Sequence, residues 1–406
     1  ELTKKPVPEQ VNLAYNETRL TFGNEYIIPK PFDPRLIVEV PMAVAKAAME
    51  SGVAKEPIED WDRYREELAT RTGSDEKTLR VLHHRAKRNP KKIVFAEADQ
   101  LDVLKAAQIV KEEGIAEPIL LGRKEVIHDL MESIDFTDEV EILDPKSTEE
   151  RKIKNHYAEL YWQDQKRKGV TEYEAKSVLR ERNYFASMMV KTGDADAMLS
   201  GYSRNYASVV KPIMNIIGKA KGVTRIAATN LMLTDRGPLF LSDTSINIDP
   251  TAKELAKIAH MNAQVVKLFG FKPVTAMLSY ANFGAATHPG AKKVTEAVAY
   301  LHRYYPDLDI DGPLQSDFAL NKEMLAEKFP FSDLVKKNVN TLIFPNLESA
   351  NITYKLLKEL NGAQSVGPIL LGLSKAVHIL QLGASVDEMV NMAAMAVVDA
   401  QQKEKQ

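Results

Sequence analysis

Cysteine is absent from this 406-residue chain. That one absence excludes disulfides, thiolate nucleophiles, cysteine-ligated zinc and iron–sulfur chemistry, and it fits a reducing, cytoplasmic compartment. An excess of one charge sign is lacking too: 54 Lys+Arg stand against 56 Asp+Glu, a formal net charge of -2. No broad basic field results, so affinity built on neutralising the phosphates of DNA or RNA is excluded. No apolar run reaches the ~20 residues that cross a bilayer; the stretch 390–398 is broken by Asn391. Neither nucleic acid nor a membrane is an expected partner.

Several motifs are missing as well. No two glycines are separated by a single residue, so the G-x-G-x-x-G dinucleotide fingerprint is absent. Gly367 and Gly372 have the spacing of a phosphate loop, but Leu373 and Ser374 stand where Lys and Ser/Thr would hold the outer phosphates and magnesium. The histidines are scattered, and the adjacent His83 and His84 point apart on a helix, so no metal site is expected. There is no G-x-S-x-G elbow. The start, Glu1-Leu2-Thr3-Lys4-Lys5-Pro6, has neither an initiating Met nor a signal-peptide core, and reads as a cut through a longer polypeptide.

What is present is length and pattern. With 44% hydrophobic and 27% charged residues, the chain can build two or three cores. From Lys91 onward, short β-rich apolar runs alternate with helical periodicity, the signature of an α/β protein with crossover helices. Strands are expected at 92–97, 118–122, 195–201, 225–233, 239–243, 274–280, 339–344 and 366–371. Capping boxes are expected at Ser147/Glu150, Thr171/Glu174 and Ser385/Glu388. After the third, Val386, Met389, Val390, Ala393, Ala394 and Val397 recur at helical spacing, so a terminal helix presents one apolar face to a core. Before Lys91 the texture changes. Pro29, Pro31 and Pro34 punctuate 26–35, an Ala/Met-rich helix is expected at 41–52 and another at 61–68, and 70–75 is the expected linker.

Two features have open readings at this level. The basic runs 83–92 and 166–168 are either solvated helix ends or attractors of a polyanionic coenzyme. The segment 282–293, which opens with Asn282 and contains Gly284 and Gly290, is either an ordinary strand-to-helix loop or part of a ligand crevice at the carboxyl ends of strands.

Three groups of residues carry a resemblance. Asp311-Gly312-Pro313-Leu314-Gln315-Ser316-Asp317, Phe344-Pro345-Asn346-Leu347 with Asn351 and Tyr354-Lys355, and Gly367-Pro368-Ile369-Leu370-Leu371-Gly372 with Lys375 resemble phosphate acetyltransferases in order and spacing, over roughly 78–402. The front end differs. Phe22-Gly23, then Tyr26-Ile27-Ile28-Pro29-Lys30-Pro31-Phe32-Asp33-Pro34-Arg35-Leu36, resembles the end of the catalytic region of a bacterial malic enzyme. The combination resembles the large NADP-dependent malic enzymes in which a malic domain is fused to a phosphate-acetyltransferase-like domain.

The resemblance implies two α/β/α sandwich domains with mostly parallel sheets, after a short remnant of the malic NAD-binding domain. Residues 1–72 would be that remnant and linker, 76–222 plus 366–406 the first domain, and 223–365 the second. It also implies a homo-oligomer, with dimers of this unit inside a larger assembly and a subunit interface that can include Met389, Met392 and Met395. The parent enzyme's NADP and divalent metal, magnesium or manganese, would be held upstream; no metal ligand and no malate oxidation are expected in this segment.

Working phosphate acetyltransferases need a carboxylate to take the coenzyme A thiol proton and arginines to hold the acetyl phosphate. By the resemblance, the arginine positions are Gln165, Lys211 and Leu382, the serine position is Gln381 and the aspartate position is Glu388. Acetyl transfer is therefore expected to be lost. A cleft of Lys211, Asn282, Lys375, His378, Gln381 and Glu388 is expected to bind acetyl-CoA or coenzyme A as an effector of the upstream malic domain. Two of these residues have a second reading that stays open: His378 as a buried imidazole with one satisfied nitrogen, and Glu388 as a structural member of the Ser385 capping box. The alternatives are an active phosphate acetyltransferase using Glu388 and Lys211, and a purely structural oligomerisation module.

Overall fold

The computed structural model describes residues 2–4, 7, 11, 15, 20, 22–24, 26–31, 33–69, 74–234, 236–361 and 364–405. Two sheets organise them. The first is built from β1 (Lys92–Phe95), β2 (Glu117–Leu121), β3 (Glu141–Leu143), β4 (Ala197–Ser200) and, far along the chain, β11 (Ala376–Ile379). Its order is β11-β4-β1-β2-β3, with every pair parallel. The second contains β5 (Ala227–Thr234), β6 (Gly237–Ser242), β7 (Val274–Leu278), β8 (Asp309–Leu314), β9 (Thr341–Ile343) and β10 (Ser365–Leu371), in the order β10-β5-β6-β9-β7-β8. Here β6, β9, β7 and β8 run parallel, while β10 and β5 form an antiparallel margin.

Both sheets are covered on both faces, which is why several of their strands read as near-continuous apolar runs. On β1, Ile93 and Phe95 enter one core cluster and Val94 enters the cluster on the opposite face. The larger cluster also takes in Leu231, Phe240 and Val266 of the second unit, so the two units share buried surface.

At the centre of that shared core lies the Val386–Lys403 helix, with Met389, Met392, Met395 and most of its neighbours buried. The single apolar face expected from periodicity is corrected: small residues such as Ala393, Ala394 and Ala396 let elements pack on every side. Met389, Met392 and Met395 are at most 1% exposed, so they cannot form a subunit interface.

Other expectations shift. Ser365–Leu371 pairs with β5 in the second sheet, and the chain returns to the first sheet only at Ala376, not at 366. The Ser147/Glu150 box does not form: the helix is Arg151–Gln165, Ser147 Oγ accepts from the Glu149 amide, and Glu150 pairs with Lys124 at 2.9 Å. The boxes at Thr171/Glu174 and Ser385/Glu388 are present, and so is one at Thr251/Glu254. The front helix is Leu36–Glu50, with Pro41 inside it, and Trp61–Ala69 docks on it through Arg65–Glu39 at 2.8 Å and Lys46 over the Trp61 ring. Most of the expected linker, 70–73, lies outside the described residues. No helix among the described residues is long and apolar enough to cross a membrane.

Candidate functional site

In parallel sheets, ligands are met by loops at the carboxyl ends of strands. In the first sheet, that edge carries the segments after β1, β4 and β11. After β1, Glu97 is 1% exposed, and its carboxylate accepts from the amides of Gly201 (2.6 Å) and Ser203 (2.8 Å) and from the Ser203 hydroxyl. The Ser200 hydroxyl donates to Asn183 Oδ1 at 2.6 Å. Gly201 has φ +103, and a Cβ there would stand 2.7 Å from Ile379 Cγ2, so glycine is what lets the β4 and β11 ends approach. A guanidinium is present here but committed. Arg182 makes a bidentate pair with Asp99 at 2.7 and 3.0 Å and also reaches the Ala96 carbonyl. Burial alone would raise the Asp99 carboxyl, but the Arg182 pair outweighs it and lowers it.

After β11, the chain reaches Gln381 and Leu382 and then enters the terminal helix. Gln381 Nε2 donates to the Tyr354 hydroxyl at 3.0 Å, which lies 3.4 Å from Ser365 Oγ. Ser365 donates to Glu388 Oε1 at 3.1 Å, and Lys358 Nζ donates to the same oxygen at 2.6 Å. Glu388 Oε2 accepts from the Ser385 amide at 3.1 Å, closing the capping box. Each carboxylate oxygen therefore already has a donor. Burial works against the Lys358 ammonium, but the Glu388 hydrogen bond and charge outweigh it and hold it above the ordinary lysine range. Leu382 is 67% exposed and carries no charge.

Of the residues singled out from the sequence, the structure joins Gln381 and Glu388 through this chain and bonds none of the others to it. Gln165 is buried, with Nε2 donating to the Asn215 carbonyl at 3.1 Å, a helix-to-helix tie. Lys211 is exposed on Tyr206–Ile216 and makes no hydrogen bond or ion pair with the described residues. Lys375 precedes β11 while Gln381 follows it, so they stand roughly 20 Å apart at opposite sheet edges. Asn282 follows β7 in the other sheet, where it accepts from the Gln315 amide at 2.8 Å and donates to the Gln315 side chain at 2.9 Å.

His378 is fully buried in β11. Its Nδ1 accepts the Leu370 amide at 3.2 Å, which leaves the proton on Nε2. Nε2 lies 3.4 Å from Asp399, a close approach without the alignment of a formed hydrogen bond. Burial would raise the Asp399 carboxyl, yet the Lys403 charge and His378 outweigh it and hold it at about 2. His378 thus ties β10, β11 and the terminal helix together, and it faces core rather than cleft.

Glu97 and Lys358 escaped the sequence reasoning, as did Arg204, an exposed guanidinium after β4 whose charge acts on the Glu181 carboxyl, while Tyr354 was found only as part of the resemblance and without a role. The usable signal was position: Glu97 and Arg204 each follow an apolar run at its carboxyl end. A separate groove of about 1620 Å³ lies in the second unit, lined by Leu239, Phe271, Tyr280, Phe344 and Leu357 among others. None of the expected cleft residues lines it. The expected phosphate-loop spacing at Gly367 and Gly372 belongs mainly to a strand, β10.

Comparison with known proteins shows the family to which this two-unit α/β architecture belongs. The chain belongs to the phosphate acetyl/butaryl transferase family, whose model matches residues 77–397. It is 41% identical to the NADP-dependent malic enzyme of Haemophilus influenzae over 405 residues, covering 97% of this chain and 52% of that protein. It thus spans about half the length of the malic enzymes it matches. It is 37% identical to the phosphate acetyltransferase of Thermoanaerobacterium thermosaccharolyticum over 330 residues, 80% of this chain and 99% of that one. A phosphotransacetylase from Streptococcus pyogenes has the same fold, with a TM-score of 0.74 at 35% identity, covering 82% of this chain and all of that one.

Proposed function

We propose that this chain is the regulatory, acyltransferase-like part of an NADP-dependent malic enzyme, which binds acetyl-CoA or coenzyme A without transferring the acetyl group. The observation that carries the reading is the state of Glu388, whose oxygens are taken by Lys358, Ser365 and the Ser385 amide, beside an uncharged Leu382. A carboxylate held by an ammonium and a capping amide is a poor acceptor for a thiol proton. Binding needs none of that chemistry. Lys211, exposed and without a hydrogen bond or ion pair among the described residues, and Arg204, exposed but with Glu181 nearby, are the cations offered to phosphates of the coenzyme, from a surface whose net charge is otherwise balanced. NADP, a divalent metal and malate oxidation belong, on this reading, to the upstream half of a cytoplasmic polypeptide. Self-association into a homo-oligomer is supported by Ile352, Leu356 and Leu360, spaced along one helix face and each at least 55% exposed.

The test uses the complete polypeptide. Malate oxidation titrated with acetyl-CoA is expected to change by at least ~5-fold, the lower end of ordinary coupling between sites. A polypeptide ending after Leu68 should oxidise malate without responding. An equal response from the truncated form, or none from the complete one, would contradict the proposal.

A further inference from the structure

The Val386–Lys403 helix touches two places, the seam between the units and the entry helix, which also meets the second unit through Arg85 and the Leu268 carbonyl. At its start, Glu388 terminates the hydrogen-bonded chain from Gln381 through Tyr354 and Ser365, with Lys358 closing it. Tyr354 and Lys358 belong to Leu347–Asn361 of the second unit, whereas Gln381 and Glu388 follow the last strand of the first, so the chain of bonds spans the seam between units. Further along, Asn391 Oδ1 lies 2.8 Å from His83 Nε2, and Gln401 Nε2 reaches the carbonyls of Arg85, Ala86 and Asn89 at 3.3, 3.3 and 2.8 Å. Lys91 pairs with Glu404 at 2.6 Å. His83, Arg85 and Ala86 lie on Ser74–Lys87, the helix by which the chain leaves the front segment.

We propose that the terminal helix is the coupling element of this protein. The Gln381–Tyr354–Ser365–Glu388–Lys358 chain is a latch that sets its N-terminus, and the Asn391 and Gln401 contacts carry any shift to Ser74–Lys87 and so toward the front segment. The physical basis is that Met389 to Ala400 is buried throughout, and a close-packed interior repacks between discrete arrangements rather than yielding locally. Glu388 to Gln401 spans about 20 Å of helix at ~1.5 Å per residue, enough to join the seam to the entry helix in one rigid piece. Lys358 and Tyr354 are positioning residues on this account. In its ligand-dependent half the inference rests on the regulatory reading above; its ligand-free half does not.

Amide hydrogen exchange on the whole chain tests both halves. Without ligand, Lys358→Met is expected to speed exchange in Ser74–Lys87 by roughly tenfold, as well as at the start of the terminal helix. Lys358→Arg should restore protection, Gln381→Ala should give a smaller change in the same sense, and Lys355→Met on the same helix should give none. Changes confined to 347–361 and 380–388, or spread equally to Arg151–Gln165, would overturn the inference, the first as local loosening and the second as global destabilisation. With acetyl-CoA, the native chain should alter protection in Ser74–Lys87, and Lys358→Met should bind yet fail to do so. A native chain indifferent to acetyl-CoA would count against the regulatory reading while the ligand-free comparison still decides the coupling.

Discussion

Acetyl phosphate and coenzyme A incubated with this chain are expected to give acetyl-CoA at least ~10⁴-fold more slowly than a working phosphate acetyltransferase gives it, because at least two preorganised groups worth ~10² each are missing. In that reaction, the thiol sulfur forms a bond to the acetyl carbon, phosphate leaves with the electron pair of the broken C–O bond, and the thiol proton must go to a base. The resemblance places that base at Glu388, where Lys358 stands 2.6 Å away and Ser365 shares the same oxygen. The guanidinium expected beside it is replaced by Leu382. Gln165, at another arginine position, is buried against the Asn215 carbonyl. Lys211 keeps a charge but offers a point ammonium rather than a planar fork. Arg182 cannot substitute, since Asp99 and the Ala96 carbonyl engage it. Thioester absorbance measures the outcome, and a rate within tenfold of a working enzyme would refute the expectation. Gln381→Ser combined with Leu382→Arg should recover only a small part of the loss while Lys358 still holds Glu388.

The second large effect concerns stability. Gly367 sits in β10 with φ +148, and a Cβ there would lie 2.2 Å from Asn230 Oδ1 and 3.0 Å from Asn230 Cα. Gly367→Ala therefore forces apart β10 and β5 at the margin of the second sheet, beside a core shared with the terminal helix. A loss of roughly 3 kcal/mol or more is expected, from a strained backbone and an overpacked core together, and a fall of about 4 °C or more in the melting midpoint. Asn230→Ala should partly rescue it by removing the amide, whereas the backbone part of the strain persists. A melting midpoint unchanged by Gly367→Ala would show that β10 can shift without cost.

Much of this architecture is legible in the amino-acid order, for reasons that are physical. Strands covered on both faces, such as β2 with its buried 118–121, are apolar along their length and announce themselves. The three strands that pattern reading passes over are short or chemically disguised. β8 is Asp309-Ile310-Asp311-Gly312-Pro313-Leu314, composed largely of residues that disfavour strands, with Asp311 satisfied by Ser332 and the Asp333 amide. β3 and β11 have three and four residues, too few for a period. Capping is legible where serine or threonine has no competitor; at Glu150 the Lys124 ammonium competes and wins.

The site divides in the same way. Its position at the carboxyl edge of the first sheet follows from topology, and Gln381 and Glu388 are found by resemblance. Their partners Tyr354, Ser365 and Lys358 come from the other unit, 23 to 30 positions away, and no local pattern announces a contact across a seam. His378 has two readings in the sequence, a polar contact in the cleft or a buried imidazole with one satisfied nitrogen, and the structure has the second, with Nδ1 taken by the Leu370 amide.

The central claim, binding without turnover, meets its most direct test in a melting experiment on this chain with acetyl-CoA. A concentration about a hundredfold above the dissociation constant should contribute ~2.7 kcal/mol and raise the midpoint by several degrees, while the thioester stays intact when inorganic phosphate is added. A midpoint that does not move up to millimolar acetyl-CoA, or a thioester consumed briskly in phosphate, would contradict the account.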